Sequence, residues 1–149
     1  GLPILERHEH SYRVHYYDPP GTDATTSASK NLRFVNDTGA PLFFQVTWNL
    51  RQQTLRLNLF GPAPDRRVTV AKPVIYNLRS PPSARLIAEP SVPLGRTRLI
   101  DHAESGMRVT LRRTVSLETG EVRHDTFRSS YVPWGAIYGV NPADPRLRR

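Results

Sequence analysis

The stretch 106–117 constrains this chain more than any other, because its residues alternate in character with a period of two. Met107, Val109, Leu111, Val115 and Leu117 fall on one side; Arg108, Thr110, Arg112, Thr114 and Ser116 fall on the other. Successive side chains of a strand point to opposite faces, so the pattern predicts a strand with one covered face. Arg113 breaks it, as a charge on the apolar side. Glu118, Thr119, Gly120 and Glu121 then predict a hairpin turn, with the return strand running from Val122 to Tyr131. The same alternation recurs at residues 54–60, where Leu55, Leu57 and Leu59 mark a half-buried antiparallel strand.

Residues 31–48 form the most hydrophobic ribbon. Leu32, Phe34 and Val35 precede Asn36-Asp37-Thr38-Gly39, and Leu42, Phe43, Phe44, Val46 and Trp48 follow it. Those four turn residues tolerate tight-turn backbone, so a hairpin across them is expected, forming the first core. Residues 11–17 alternate well enough for a strand with Val14 and Tyr16 on one face, stopped by Asp18-Pro19-Pro20-Gly21. Residues 22–26 fit either a short strand or a loop. Gly61-Pro62-Ala63-Pro64-Asp65 ends the 54–60 strand, and residues 67–71 and 74–76 extend a meander with a bend at Pro73. Four prolines between residues 80 and 95 disfavour both helix and central strand, which marks a linker. Residues 96–100 read as a short strand. No stretch has a convincing helical period, and fourteen prolines and nine glycines suit short strands and turns.

The expected fold is therefore all-β: an antiparallel meander or small sheet over residues 1–79, a linker over 80–95, and a second extended β-ribbon unit over 96–149. That second unit looks too thin for a deep core.

No run of 18 or more apolar residues exists, so no membrane span is expected. The start shows neither a signal peptide nor a Met, which suggests a fragment, a mature form or an excised domain. Cysteine is absent, excluding disulfides, thiolate metal sites and cysteine nucleophiles within these residues. The net charge is +8, and of 21 basic residues only Lys30 and Lys72 are lysines. Arginine forks suit phosphate, yet no basic helix or aromatic-interleaved basic patch supports nucleic-acid binding. A basic surface facing anionic envelope polymers fits better.

The densest polar constellation is Arg7-His8-Glu9-His10-Ser11, with His15 and Asp23 nearby. On extended backbone His8 and His10 point the same way, as paired metal ligands do. One reading is thus a metal-dependent hydrolase using His8, His10 and Asp23. A solvated loop, or histidines bonded to neighbours, is the plainer reading. A serine hydrolase using Ser11 has no glycine-flanked elbow to support it. No glycine-rich phosphate loop is present, and no cofactor is expected. Tyr131, Trp134 and Tyr138, near Gly135 and Gly139, fit either a carbohydrate-stacking or partner-docking edge or a plug that seals a small β-unit.

Several of these residues spell a family pattern. Glu6-Arg7, His10-Ser11-Tyr12, Val14, Tyr16-Tyr17, Pro20-Gly21, Asp23-Ala24-Thr25, Leu32-Arg33-Phe34 and Asn36 to Leu42 resemble the VanW-like protein family, over about residues 1–70. The family takes its name from a protein of vancomycin-resistance gene clusters. Val109, Arg113, Gly120, Phe127, Tyr131 and Pro133 are similar to the glycine-named β-ribbon module found after VanW-like regions in envelope proteins. The family's glycine-rich segment with a Cys-Gln pair is missing from these residues. By analogy with Cys/His enzymes, the resemblance implies His10 as a base, Arg7 or Ser11 as substrate contacts, and Asp23 as the group orienting His10. Without the nucleophile, a noncatalytic binding or scaffolding role linked to peptidoglycan and glycopeptide resistance is expected. The implied setting is the cell envelope or extracellular space. The expected partner is a cell-wall polymer or envelope protein, contacted by Arg7, Ser11, Tyr131 and Trp134.

Overall fold

The computed structural model describes residues 1–63 and 65–148. Pro64, read as part of the stop after the 54–60 strand, lies outside them. The protein is all-β. Its strands are β1 (Ile4–Glu6), β2 (Arg33–Phe34), β3 (Phe43–Asn49), β4 (Thr54–Phe60), β5 (Arg66–Val70), β6 (Val74–Arg79), β7 (Arg85–Ala88), β8 (Thr97–Asp101), β9 (Gly106–Leu117), β10 (Val122–Tyr131) and β11 (Ile137–Val140). A single 3-10 turn, Pro145–Arg148, is the only helical element among the described residues. The chain divides into two compact units that interleave in sequence, unlike the sequential division of residues 1–79, 80–95 and 96–149.

The first unit comprises Gly1–His8, Thr25–Ala71 and Arg113–Asp125. In it β1 pairs antiparallel with β2, β3 with β4, and β5 with the distal half of β9, setting Val68 opposite the buried Val115. Arg113, the charge on the apolar face of β9, is neutralised where it lies. It donates to Asp125 at 2.9 Å and to the Leu2 carbonyl at 2.9 Å. Burial, the largest influence on Asp125, pushes its carboxyl up, but Arg113 and Arg123 together hold it below the ordinary value.

The second unit comprises Glu9–Ala24, Lys72–Arg112 and the residues from Thr126 onward. Here β6 pairs antiparallel with the proximal half of β9, setting Ile75 opposite Val109. A separate three-stranded sheet has the order β7-β11-β8, with β11 parallel to β7 and antiparallel to β8. Most of the buried apolar side chains lie in this unit: Val92, Met107, Val109, Leu111, Tyr131, Ala136 and Val140.

Two expectations about the 31–48 ribbon are overturned. Residues 31–35 and 42–48 do not pair across Asn36–Gly39. The Asn36 side chain closes that turn on itself, donating to the Ala40 carbonyl at 2.7 Å and accepting from the Thr38 amide at 3.2 Å. Pro41 then offers no ladder donor, so the strand resumes at Phe43 and pairs over seven residues with β4 instead. Nor is this ribbon a core, because most of its apolar side chains are exposed and none is buried. The core forms on β9, in the part read as too thin to hold one.

Residues 11–17 form bends rather than a strand, with the Tyr17 amide donating to the Val14 carbonyl. Residues 22–26 carry no strand. The proline-rich stretch 80–95 contains β7 and the buried Val92. Strands β4, β5, β6, β8, β9 and β10 fall where the sequence places strands, within a few residues at their ends.

Candidate functional site

The site lies in the second unit, on a loop that two prolines and a glycine keep out of any ladder. Gly21 adopts φ +94°, and a Cβ there would sit 2.9 Å from Val109 Cγ1, so the loop backbone rests directly on the core strand. Only glycine meets both demands. Two residues on, Asp23 is buried to 2 % exposure.

A buried carboxylate must be satisfied, and Asp23 is. Oδ2 accepts the His10 backbone amide and the His10 Nδ1, both at 2.8 Å, and Oδ1 accepts a short hydrogen bond from the Tyr131 hydroxyl. That hydroxyl in turn accepts the Gly21 amide at 3.0 Å. Burial, reinforced by the neighbouring Asp23 carboxylate, pushes the Tyr131 phenol up to about 12. The phenol therefore stays a donor throughout the neutral range.

An ionised carboxylate only accepts, so the network assigns the proton of His10 to Nδ1 and leaves Nε2 with its lone pair in the neutral ring. The His10 side chain is 24 % exposed, and its ring lies 5.6 Å from that of Tyr17. The arrangement is an oriented acceptor: an imidazole fixed in ring plane and tautomer by a buried acid. Such a group can accept a hydrogen bond from a ligand N–H or O–H, or take a proton from a supplied nucleophile.

The other candidate residues divide. His8 belongs to the first unit, where its Nε2 meets Glu6 Oε1 at 3.0 Å and its carbonyl accepts from Thr25. Arg7 is partly buried in that unit. Among the described residues no group of three or more His, Cys, Asp or Glu side chains is placed to hold a metal. Nothing supports the metal-dependent hydrolase built on His8, His10 and Asp23. Ser11 is exposed, and its carbonyl accepts the Val132 amide at 2.8 Å. Tyr131 is not a surface contact but the buried anchor of Asp23, because its alternating position on β10 points inward.

Trp134 is half-buried and held on several sides. Its Nε1 donates to Asp101 at 2.8 Å, Tyr12 stacks on it at 5.0 Å and 14°, and the Arg85 guanidinium sits 5.4 Å from its centroid. Backbone bonds between Trp134 and Glu104 run in both directions at 2.8 Å. Buried Glu104 also engages His15 Nε2 at 2.6 Å, a second carboxylate–imidazole pair. Sequence reasoning missed that pair, since 89 residues separate the partners and Glu104 stands in no motif.

Residues 1–60 match the family model described as VanW like protein, which agrees with the likeness carried by the Glu6–Leu42 motifs. Among solved structures, the IgA1 protease G5 domain matches at 16 % identity, covering 54 % of this chain and 96 % of that one with a TM-score of 0.29. That likeness is too slight to bear on fold or function. No curated protein matches.

Proposed function

We propose that this chain is a noncatalytic, ligand-holding part of a VanW-like protein of the bacterial cell envelope, with peptidoglycan as the ligand. The observation that carries the reading is the Asp23-locked His10: a directed acceptor with no nucleophile bonded to it among the described residues. Ser11, its neighbour, spends its backbone on Val132 and makes no hydrogen bond to the imidazole. Peptidoglycan strands and stem peptides present the N–H and O–H donors such a group receives, and they carry carboxylates that suit a chain of net charge +8. Trp134, Tyr12 and Arg85 stand in the same unit as a rigid aromatic and cationic cluster for secondary contacts.

Sedimentation with purified sacculi tests the reading. Retention at physiological salt, reduced about tenfold by His10→Ala, is expected from loss of one well-oriented hydrogen bond. Retention that vanishes with salt alone, and ignores His10→Ala, would reduce the interaction to net charge.

A further inference from the structure

The ribbon β3–β4 has two unlike faces. In its register Phe44 faces Leu59, Val46 faces Leu57, and Trp48 faces Leu55, so six large apolar side chains share one face. The opposite face pairs Gln45 with Asn58, Thr47 with Arg56 and Asn49 with Thr54, with Phe43 and Phe60 at its base. Strands of seven residues make the ribbon about 23 Å long.

Exposure rises along the apolar face toward the loop. It runs from 45 % at Phe44 and 46 % at Val46 to 70 % at Trp48 on β3, and from 49 % at Leu59 through 61 % at Leu57 to 72 % at Leu55 on β4, reaching 84 % at Leu50 in the loop. At the base Phe34 lies 6.0 Å from the Phe44 ring. The loop is held in shape: Asn49 Oδ1 accepts the Gln52 amide at 3.1 Å, and Gln53 adopts φ 50°. An apolar patch of this size on a single element marks an interaction surface.

Charge decides among occupants. Residues 38–63 contain no acidic side chain, while Arg51 stands in the loop and Arg56 on the polar face, within a chain of net charge +8. Arg51 at the exposed end of the apolar face, in a chain of net charge +8, suits an anionic lipid surface, which offers the opposite sign together with an apolar layer. An indole near the free end suits the headgroup boundary. A ribbon lying in that boundary also leaves the unpaired edge amides and carbonyls of β3 and β4 in contact with water and headgroups, where they stay solvated.

We propose that the β3–β4 ribbon is a peripheral membrane-docking element that lays its Phe44/Val46/Trp48/Leu55/Leu57/Leu59 face into the interface of an anionic lipid bilayer. The inference is independent of the peptidoglycan reading, since it uses no residue of the His10 site.

Vesicle sedimentation tests it, using phosphatidylcholine vesicles with and without phosphatidylglycerol. The expected result is partition onto phosphatidylglycerol vesicles and little onto phosphatidylcholine alone. The double substitution Trp48→Ser/Leu55→Ser should weaken partition by about tenfold or more, and Arg51→Gln by about fivefold. Both variants alter exposed side chains, and an unchanged circular dichroism spectrum verifies their fold. Failure of the wild-type chain to partition onto phosphatidylglycerol vesicles overturns the proposal. So does a concentration-dependent dimer that Trp48→Ser/Leu55→Ser abolishes without vesicle binding, which would assign the face to a second copy.

Discussion

Strands β4 and β9 carry the same apolar alternation and meet opposite fates. Leu57 on β4 and Leu111 on β9 occupy equivalent positions in a period-two pattern, yet Leu111 is buried and Leu57 is 61 % exposed. What separates them is whatever lies over the face. At Val109 and Leu111 the apolar side of β9 is covered by the Gly21 loop of the same unit, and the inward-facing Tyr131 joins Met107 and Val109 in one core cluster. The apolar side of β4 is left open over Leu55 and Leu57, which are 72 % and 61 % exposed. Alternation therefore specifies a strand and its two faces, while coverage is a property of distant loops.

The sharpest way to break the comparison is a matched pair of truncations. Leu111→Ala should cost about 2–5 kcal/mol of unfolding free energy in denaturant titrations, whereas Leu57→Ala should change it by less than about 0.5 kcal/mol. Similar losses at the two positions would mean that β4 is covered after all.

A smaller effect tests the polar fastening of the covering loop. Tyr131→Phe removes the donor to Asp23 and should cost about 1–3 kcal/mol. The native phenol titrates at about 12 rather than 10, so the folded state holds this proton more tightly than the unfolded state. That contribution is complete below pH 10 and is lost as pH rises toward 12, a decline that Tyr131→Phe should flatten. Alkaline unfolding followed by circular dichroism reads it directly.

On the acid side the first unit supplies the contrast. Asp125 is held below its ordinary value by Arg113 and Arg123 against the opposing effect of burial, so its contribution is present above the ordinary carboxylate range and is lost as pH falls through the depressed value. Asp125→Asn should remove that acid dependence and cost about 2 kcal/mol at neutral pH, because it leaves the Arg113 guanidinium short of its acceptor. An acid titration of unchanged slope would show that Arg113 is satisfied elsewhere.

These contrasts also explain what the amino-acid sequence could and could not convey. The period of two marks β4 and β9, and the turn at Gly120 falls where Glu118–Glu121 indicate, with β10 as its return strand. The proline-rich stretch concealed β7, because its partner is Ile137–Val140, some fifty residues on, and parallel pairing leaves no local turn to announce it. At the site, His10 and Asp23 were nameable from the family pattern. Their joining through a buried tyrosine 108 residues from Asp23 was not, since that contact exists only once the loop lies on β9. The β3–β4 ribbon departs from expectation for the opposite reason: hydrophobicity does not imply burial, and composition alone does not say which apolar face finds a partner.

The sheet order β7-β11-β8 has a consequence for how this protein is made. The two flanking strands bond to β11 and not to each other. During synthesis, residues 85–101 leave the ribosome as two strands with no mate, and they stay so until residues 137–140 arrive to lie between them. The two outer strands must wait for β11, so this sheet gains its structure late and at once.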